Sequence, residues 1–339
     1  MDDDHLAEPR LAVLAALHQG DAGLAARIVL DLMGQGYPLT TILEEVVAPM
    51  QHESGRRWQV GDYSISDEHV ATAAAEVLLS TLAGAFDQPE GAPHVVVGCA
   101  TGELHTLPAR MAAALLLAEG YRCTFLGSSV PAEDLEAYLA AVRPAAVVVT
   151  CTLVGNLLGA REVVDAAHRA EIPVIAGGRA FGTTGARASA VGADAWAPSL
   201  LALVDLLASG PPALGAVEGS VPAGAAAGSV VAGGELGARR APAIATLAGG
   251  WTDRLGQPPT PTVARVVSEE AGRLFDALVV AVQLHDPGLL REQADWLAAY
   301  LPTIGVAGAT AHDLLAELAR AVGDDDPAVG PLIADAAAA

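Results

Sequence analysis

The stretch from 94 to 208 alternates short apolar runs with helical stretches, and few folds tolerate that rhythm. Val95 to Ala100, Arg122 to Leu126, Ala145 to Cys151, Val174 to Ala176 and Ala193 to Ala197 read as strands. Pro131 to Val142 and Asn156 to Arg169 are two of the helices between them. Runs of Val, Ile and Ala with no polar break suit strands covered on both faces. Strand–helix repetition in turn calls for parallel pairing with crossover helices. The expectation is a five-stranded, doubly wound α/β domain over residues 93–208.

The first of these strands leads into a loop that carries chemistry. The segment Val95 to Pro108 reads VVVGCATGELHTLP, and an apolar helical pattern follows from Met111 to Ala118. Glu103 and His105 therefore stand in the loop leaving the carboxyl end of a strand, which is where open α/β sheets bind ligands. An imidazole two residues from a carboxylate is a general base, a metal ligand with an orienting partner, or a capped loop without chemistry.

The flanks are helical. Leu11 to Leu17 and Asp21 to Met33 repeat an apolar face. A third helix, capped by Thr40 or Thr41, runs through Val46 to Met50 toward Trp58 despite Pro49. Ser66 precedes a fourth helix from Asp67 to Phe86. Short connections make residues 9–86 an antiparallel four-helix bundle. Residues 87–93 are a polar Pro/Gly linker, and residues 209–245, rich in Gly, Ala, Pro and Ser, read as a flexible one. Helices return over 246–339: Thr262 to Leu284, ending at His285-Asp286-Pro287; Gly288 to Leu301, closed by Pro302; and Ala309 to Val322, broken by Gly323 and the acidic run Asp324 to Asp326.

Composition excludes several classes. The net charge is −22 and the 18 basic residues are all arginine, a balance that opposes direct nucleic-acid binding. No apolar run reaches membrane-spanning length and no cleavable leader is visible, so a soluble, cytoplasmic protein is expected. Cys99, Cys123 and Cys151 each fall in a predicted strand and read as small core residues of a reducing compartment.

The loop Glu103-Leu104-His105-Thr106-Leu107-Pro108 resembles the Asp-x-His-x-x-Gly signature of cobalamin-binding domains. Thr150-Cys151-Thr152, after the third strand, stands where that family has Ser-x-Leu, and Gly177-Gly178, after the fourth, where it has Gly-Gly. Glu replaces Asp and Pro replaces Gly, and neither change removes the imidazole. The resemblance implies a flavodoxin/Rossmann-like domain that binds cobalamin with its lower base displaced. His105 would be the lower axial ligand of cobalt, oriented by Glu103. Gly177 and Gly178 would leave room for the nucleotide tail, and Thr150 or Thr152 would hydrogen-bond the displaced base.

Upstream, Trp58 is followed after nine residues by Glu68-His69. This Trp-x9-Glu-His spacing resembles the cap of CarH-type cobalamin photoreceptors, in which a helical bundle covers the upper face of adenosylcobalamin. Carried over, Trp58 shelters the adenosyl group, with Glu68 and His69 as polar contacts. The family's cobalt-binding histidine after the Trp is Gln59 here. CarH-type repressors open with a helix-turn-helix, whereas this bundle begins near residue 9, so direct transcriptional control is not expected.

The C-terminal helices resemble in architecture the photocobilins, which pair cobalamin with biliverdin in a helical, globin-like domain. That implies an all-α domain with a non-covalent bilin, because no Cys follows Cys151. Trp251, Trp296 and Tyr300 would form the slot, Arg254, Arg265 or Arg291 would meet the propionates, and His285 or His312 the pyrroles. A helical dimerisation or docking domain is the alternative. For the whole chain, the expectation is a non-enzymatic light sensor. Photolysis of its cobalt–carbon bond would change a homo-oligomer and signal to an output protein. A corrinoid carrier for a methyltransferase and a ligand-free flavodoxin-like signalling domain are the competing readings.

Overall fold

The computed structural model describes residues 5–215, 236–323 and 329–338. Most of the expected linker and the acidic run Asp324 to Asp326 lie outside the described residues. The chain divides into two compact units, with described residues 5–58 and 62–215 in the first and 59–61, 236–323 and 329–338 in the second.

The first unit begins with helices α1 (Ala7–His18), α2 (Ala22–Gly34), α3 (Leu39–Ile42), α4 (Ala48–Gln59) and α5 (Ile65–Ala83). Five π-helical residues, Leu43–Val47, join α3 to α4 without a break. They answer the problem posed by Pro49, which has no N–H to give the Glu45 carbonyl and whose ring crowds it. The freed carbonyl accepts instead from Arg10 Nε at 2.6 Å. Thr40 and Thr41 sit inside α3 and do not cap it; the turn starts after Pro38, whose fixed φ suits that place. Nor does Ser66 cap α5. Ser64 does, in a reciprocal box with Asp67 that satisfies two end amides and starts the helix two residues early.

Strands β1 (His94–Cys99), β2 (Arg122–Gly127), β3 (Ala146–Thr150), β4 (Val174–Gly177) and β5 (Ala195–Ala197) form one parallel sheet in the order β2-β1-β3-β4-β5. Its helices are α6 (Leu107–Ala118), α7 (Ala132–Val142), α8 (Leu157–Arg169), α9 (Ala186–Ala190) and α10 (Leu200–Ala208). The order reverses between β1 and β3, so the loops after those two strands flank the switch point. Cys151 lies one residue past β3; all three cysteines are buried and free. Burial pushes the Cys123 thiol up to about 12, which makes it an inert core residue.

Helix α6 explains how bundle and sheet share one unit. Leu107, Met111 and Leu115, four residues apart, join the core of the bundle, while Ala109, Ala112, Ala113 and Leu116 join the core under the sheet. A helix apolar all round must be covered on both sides, and α6 is. The loop bearing Glu103 and His105 enters its N-terminus.

The second unit is helical in its described residues: α11 (Arg240–Asp253), α12 (Pro261–Leu284), α13 (Pro287–Tyr300), α14 (Ala311–Val322) and α15 (Gly330–Ala338). Residues 240–245, expected as linker, belong to α11, because Ala243 and Leu247 have a core to enter. Pro302 does not end the chain's helical path; Leu301–Ile304 continue it as a 3₁₀ turn.

Candidate functional site

Glu103 is fully buried, and the backbone reaches for its carboxylate from two loops. Oε1 accepts from the His105 backbone N–H at 2.9 Å and lies 2.5 Å from His105 Nδ1; Oε2 accepts from the N–H groups of Thr152 at 2.8 Å and Leu153 at 2.9 Å. Burial alone would raise this acid. Hydrogen bonds from the His105 ring and from the Leu153 and His105 amides outweigh it and hold the carboxyl at about 2. An ionised Glu103 fixes the proton on Nδ1, so the lone pair of His105 sits on Nε2. That nitrogen has no partner among the described residues, and the His105 side chain is 52% exposed against 0% for Glu103. One carboxylate thus spans from β1's loop to β3's across the switch point.

Among the described residues no three His, Cys, Asp or Glu side chains gather to cage a bare metal ion.

Glycines shape the floor. Gly178 has φ +101°, and a Cβ there would lie 2.4 Å from the Cys151 carbonyl oxygen. Gly177 has ordinary space around it. Gly159, absent from the expected site, is as constrained as Gly178: its Cβ would lie 2.0 Å from the Thr101 carbonyl oxygen, at the root of the His105 loop. No signal near Gly159 in the sequence betrays this, since the close approach is made by a segment 58 residues away. Thr150 is buried with its hydroxyl directed at Cys99 Sγ, 3.7 Å away. It is therefore committed to the sheet, and only Thr152 of the pair is partly exposed.

The bundle stands against this loop through α5. Glu68, Thr72, Glu76 and Ser80 recur every fourth residue, hence on one face. Thr106 donates to Glu76, and Arg110 reaches Ser80 at 3.1 Å, which ties α6 and the residue after His105 to α5. Glu68 lies eight residues before Glu76, about 12 Å along the helix. It accepts from Thr72 Oγ1 at 2.6 Å and pairs with His69 Nδ1 at 3.0 Å. Trp58 is partly buried at the end of α4.

In the helical unit the expected bilin residues occupy different settings, with Trp251 and Arg254 meeting at one acid, Glu317. Trp251 is fully buried and its indole N–H donates to Glu317 at 2.8 Å; Arg254 pairs with the same Glu317. Both serve the core, so neither is an open slot wall or a free propionate partner. Arg265 pairs with Glu269, and Arg291 with Asp295. Trp296 and Tyr300 stack 5.0 Å apart on α13. His285 is an exposed left-handed cap closing α12. His312 lines an open groove of about 470 Å³ with Ala316, Ala319, Pro331 and Ile333.

Comparison with known proteins agrees with the geometry of the first unit. Residues 93–204 match the family model of the B12 binding domain, and residues 11–83 match a second B12 binding domain model. Over 117 residues the chain is 35% identical to the HTH-type transcriptional repressor CarH of Myxococcus xanthus, a stretch that is 34% of this chain and 38% of that protein. The chain thus spans little more than a third of that relative. The monomethylamine corrinoid protein of Methanosarcina barkeri superposes with a TM-score of 0.50 at 17% identity, over 60% of this chain and 99% of that one, a likeness of fold. Both matched models are of B12 binding domains, so corrinoid binding is what the comparisons support for residues 11–83 and 93–204.

Proposed function

We propose that the chain is a light sensor that holds adenosylcobalamin between the helical bundle and the α/β domain, with His105 as lower axial ligand. The observation that carries this is the unpartnered, exposed Nε2 of a ring whose other nitrogen is locked to a buried carboxylate. When bound, the cofactor supplies a cobalt–carbon bond that visible light breaks. The protein's residues supply grip and direction. Glu103 sets the tautomer of His105. Gly178 lets the β4 loop lie flat against Cys151 beneath the site, and Thr152 is the exposed hydroxyl available to the displaced base. Trp58, Glu68 and His69 cover the upper side. The ties from Thr106 to Glu76 and from Arg110 to Ser80 couple the ligand loop to the bundle. Loss of the upper group then changes how bundle and α/β domain pack, and with it the association of copies and the signal to an output protein.

The identity to CarH and the Trp-x9-Glu-His spacing favour this over a corrinoid carrier for methyl transfer. The test is to load purified protein with adenosylcobalamin in darkness and then illuminate it. A changed absorption spectrum and a changed gel-filtration volume are expected; a colour change with no change in elution volume sinks the sensor reading. Methyl transfer from a partner methyltransferase would establish the carrier instead.

For the helical unit the proposed ligand is biliverdin, and the open, mostly apolar groove beside His312 is where it would dock. Co-expression with a biliverdin source should give a red-absorbing band that survives gel filtration. Absence of the band makes this unit a docking domain.

A further inference from the structure

The chain leaving β2 takes a strained path beside the His105 loop. Val97 on β1 stands opposite Phe125 and Gly98 opposite Gly127, so Leu126 is an extra residue in β2, a bulge. Bulges re-aim a strand end and gather next to sites. Two positive backbone angles follow, φ +86° at Gly127 and φ +50° at Ser129. Glycine adopts this left-handed region freely, whereas serine is strained in it. Such strain persists only where the surroundings hold it, and it clusters at functional sites.

The hydroxyl of Ser129 shows what the strained turn achieves. A serine just before a helix ordinarily caps it, yet α7 has Pro131 at its N-cap position and no side chain capping it. Ser129 Oγ instead accepts from the Gly102 N–H at 2.9 Å, 27 residues away in sequence. Gly102 directly precedes Glu103. On the inner side of the same loop the Thr101 N–H donates to the Gly159 carbonyl at 3.2 Å, and the Glu103 N–H to the Ala100 carbonyl at 3.0 Å. The segment that presents His105 is thus gripped from β3's loop through the Glu103 carboxylate and from β2's loop through Ser129.

We propose that Ser129 is a positioning residue for the cobalt ligand: its hydroxyl fixes Gly102, and with Gly102 the loop that aims the His105 ring. The inference rests on the cobalamin reading above. A loop set in place beforehand loses less conformational freedom when the cofactor docks, and that difference appears as affinity.

The experiment measures adenosylcobalamin dissociation constants by equilibrium titration in darkness for the unaltered chain, Ser129→Gly and Ser129→Ala, each also combined with His105→Ala. Apo melting temperatures and hydrogen exchange at the Gly102 amide are recorded alongside. Ser129→Gly removes the hydroxyl and the backbone strain together. It should weaken cobalamin about tenfold, the loss of one hydrogen bond, and speed exchange at Gly102. Its apo melting temperature should be no lower than that of the unaltered chain. Ser129→Ala should weaken cobalamin to a similar degree. In the His105→Ala background neither change should weaken binding further, because Ser129 acts through His105. Unchanged affinity in both variants, or the same loss with and without His105, overturns the proposal while the cobalamin reading stands. So does a loss of affinity in Ser129→Gly that is matched by a falling apo melting temperature, which makes Ser129 a residue of the fold alone. Failure of the unaltered chain to take up cobalamin overturns both.

Discussion

At the scale of single residues, two buried acids pull stability in opposite directions with pH. The folded value of Glu103 is about 2, below the ordinary 4.5. Its ionised form is what the fold prefers, so its contribution is complete above about 4.5 and fades as pH falls toward 2. Glu103→Gln puts an NH₂ group against backbone donors. It should cost about 2 to 3 kcal/mol at pH 7, read as a lower apo melting temperature, and should flatten the acid limb of the stability curve. Glu270, on α12, behaves the other way. Burial raises it to about 7, Arg273 opposes the rise and Glu269 adds to it, and Oε2 has no partner. The unfolded chain ionises Glu270 near 4.5 and the folded chain only near 7, so stability falls as pH rises through that window. Glu270→Gln should leave the melting temperature unchanged at pH 4 and raise it increasingly up to pH 8. A pH-independent difference would show that Glu270 does not titrate in this range. Glu103 was legible in the sequence through its neighbour His105. Glu270 was not, because a glutamate in an amphipathic helix announces nothing until the tertiary fold removes water from it.

At the scale of elements, helix ends and crossings carry information that periodicity does not. Glu44, in the π-helical turn, accepts from the N–H groups of Leu200 at 2.6 Å and Leu201 at 3.2 Å, placing a carboxylate on the N-terminus of α10. It pins the bundle to the α/β domain at a point 156 residues away in sequence. Glu44→Ala should cost about 1 kcal/mol, measured by denaturant midpoint. Arg10→Ala hands the exposed Glu45 carbonyl to water and should cost less, about 0.5 kcal/mol. Gly178→Ala meets both a left-handed backbone and a 2.4 Å approach to the Cys151 carbonyl. It should cost several kcal/mol or prevent folding, whereas Gly177→Ala should be tolerated. The helices and strands themselves were readable to within a few residues, because 3.6- and 2-residue patterns are local. The caps at Ser64 and Pro38 were missed because neighbouring Ser and Thr residues compete for the role, and only the chain direction entering the helix chooses.

At the scale of the whole molecule, the first unit is built so that one loop serves two cores. Helix α6 packs against the bundle with one face and the sheet with the other, and the imidazole sits at its entry. Replacing His105 by Ala should therefore leave the apo fold intact, with a melting temperature close to that of the unaltered chain, and abolish cobalamin colour after gel filtration. Retained colour would remove His105 from the ligand role. The alternating runs, the Glu-x-His pair and the Trp-x9-Glu-His spacing were written in the chain, because strand period, loop position and residue type are local properties. The sequence alone therefore determined the α/β class, the helical flanks and the loop that matters. Only the tertiary structure decided that Glu103 bridges two strands' loops, that Gly159 and Gly178 are forced by carbonyls far off in sequence, that Trp251 and Arg254 are spent on Glu317, and that Ser129 reaches Gly102. Each of these is a meeting of distant segments, and distance along a chain hides such meetings until the chain has folded.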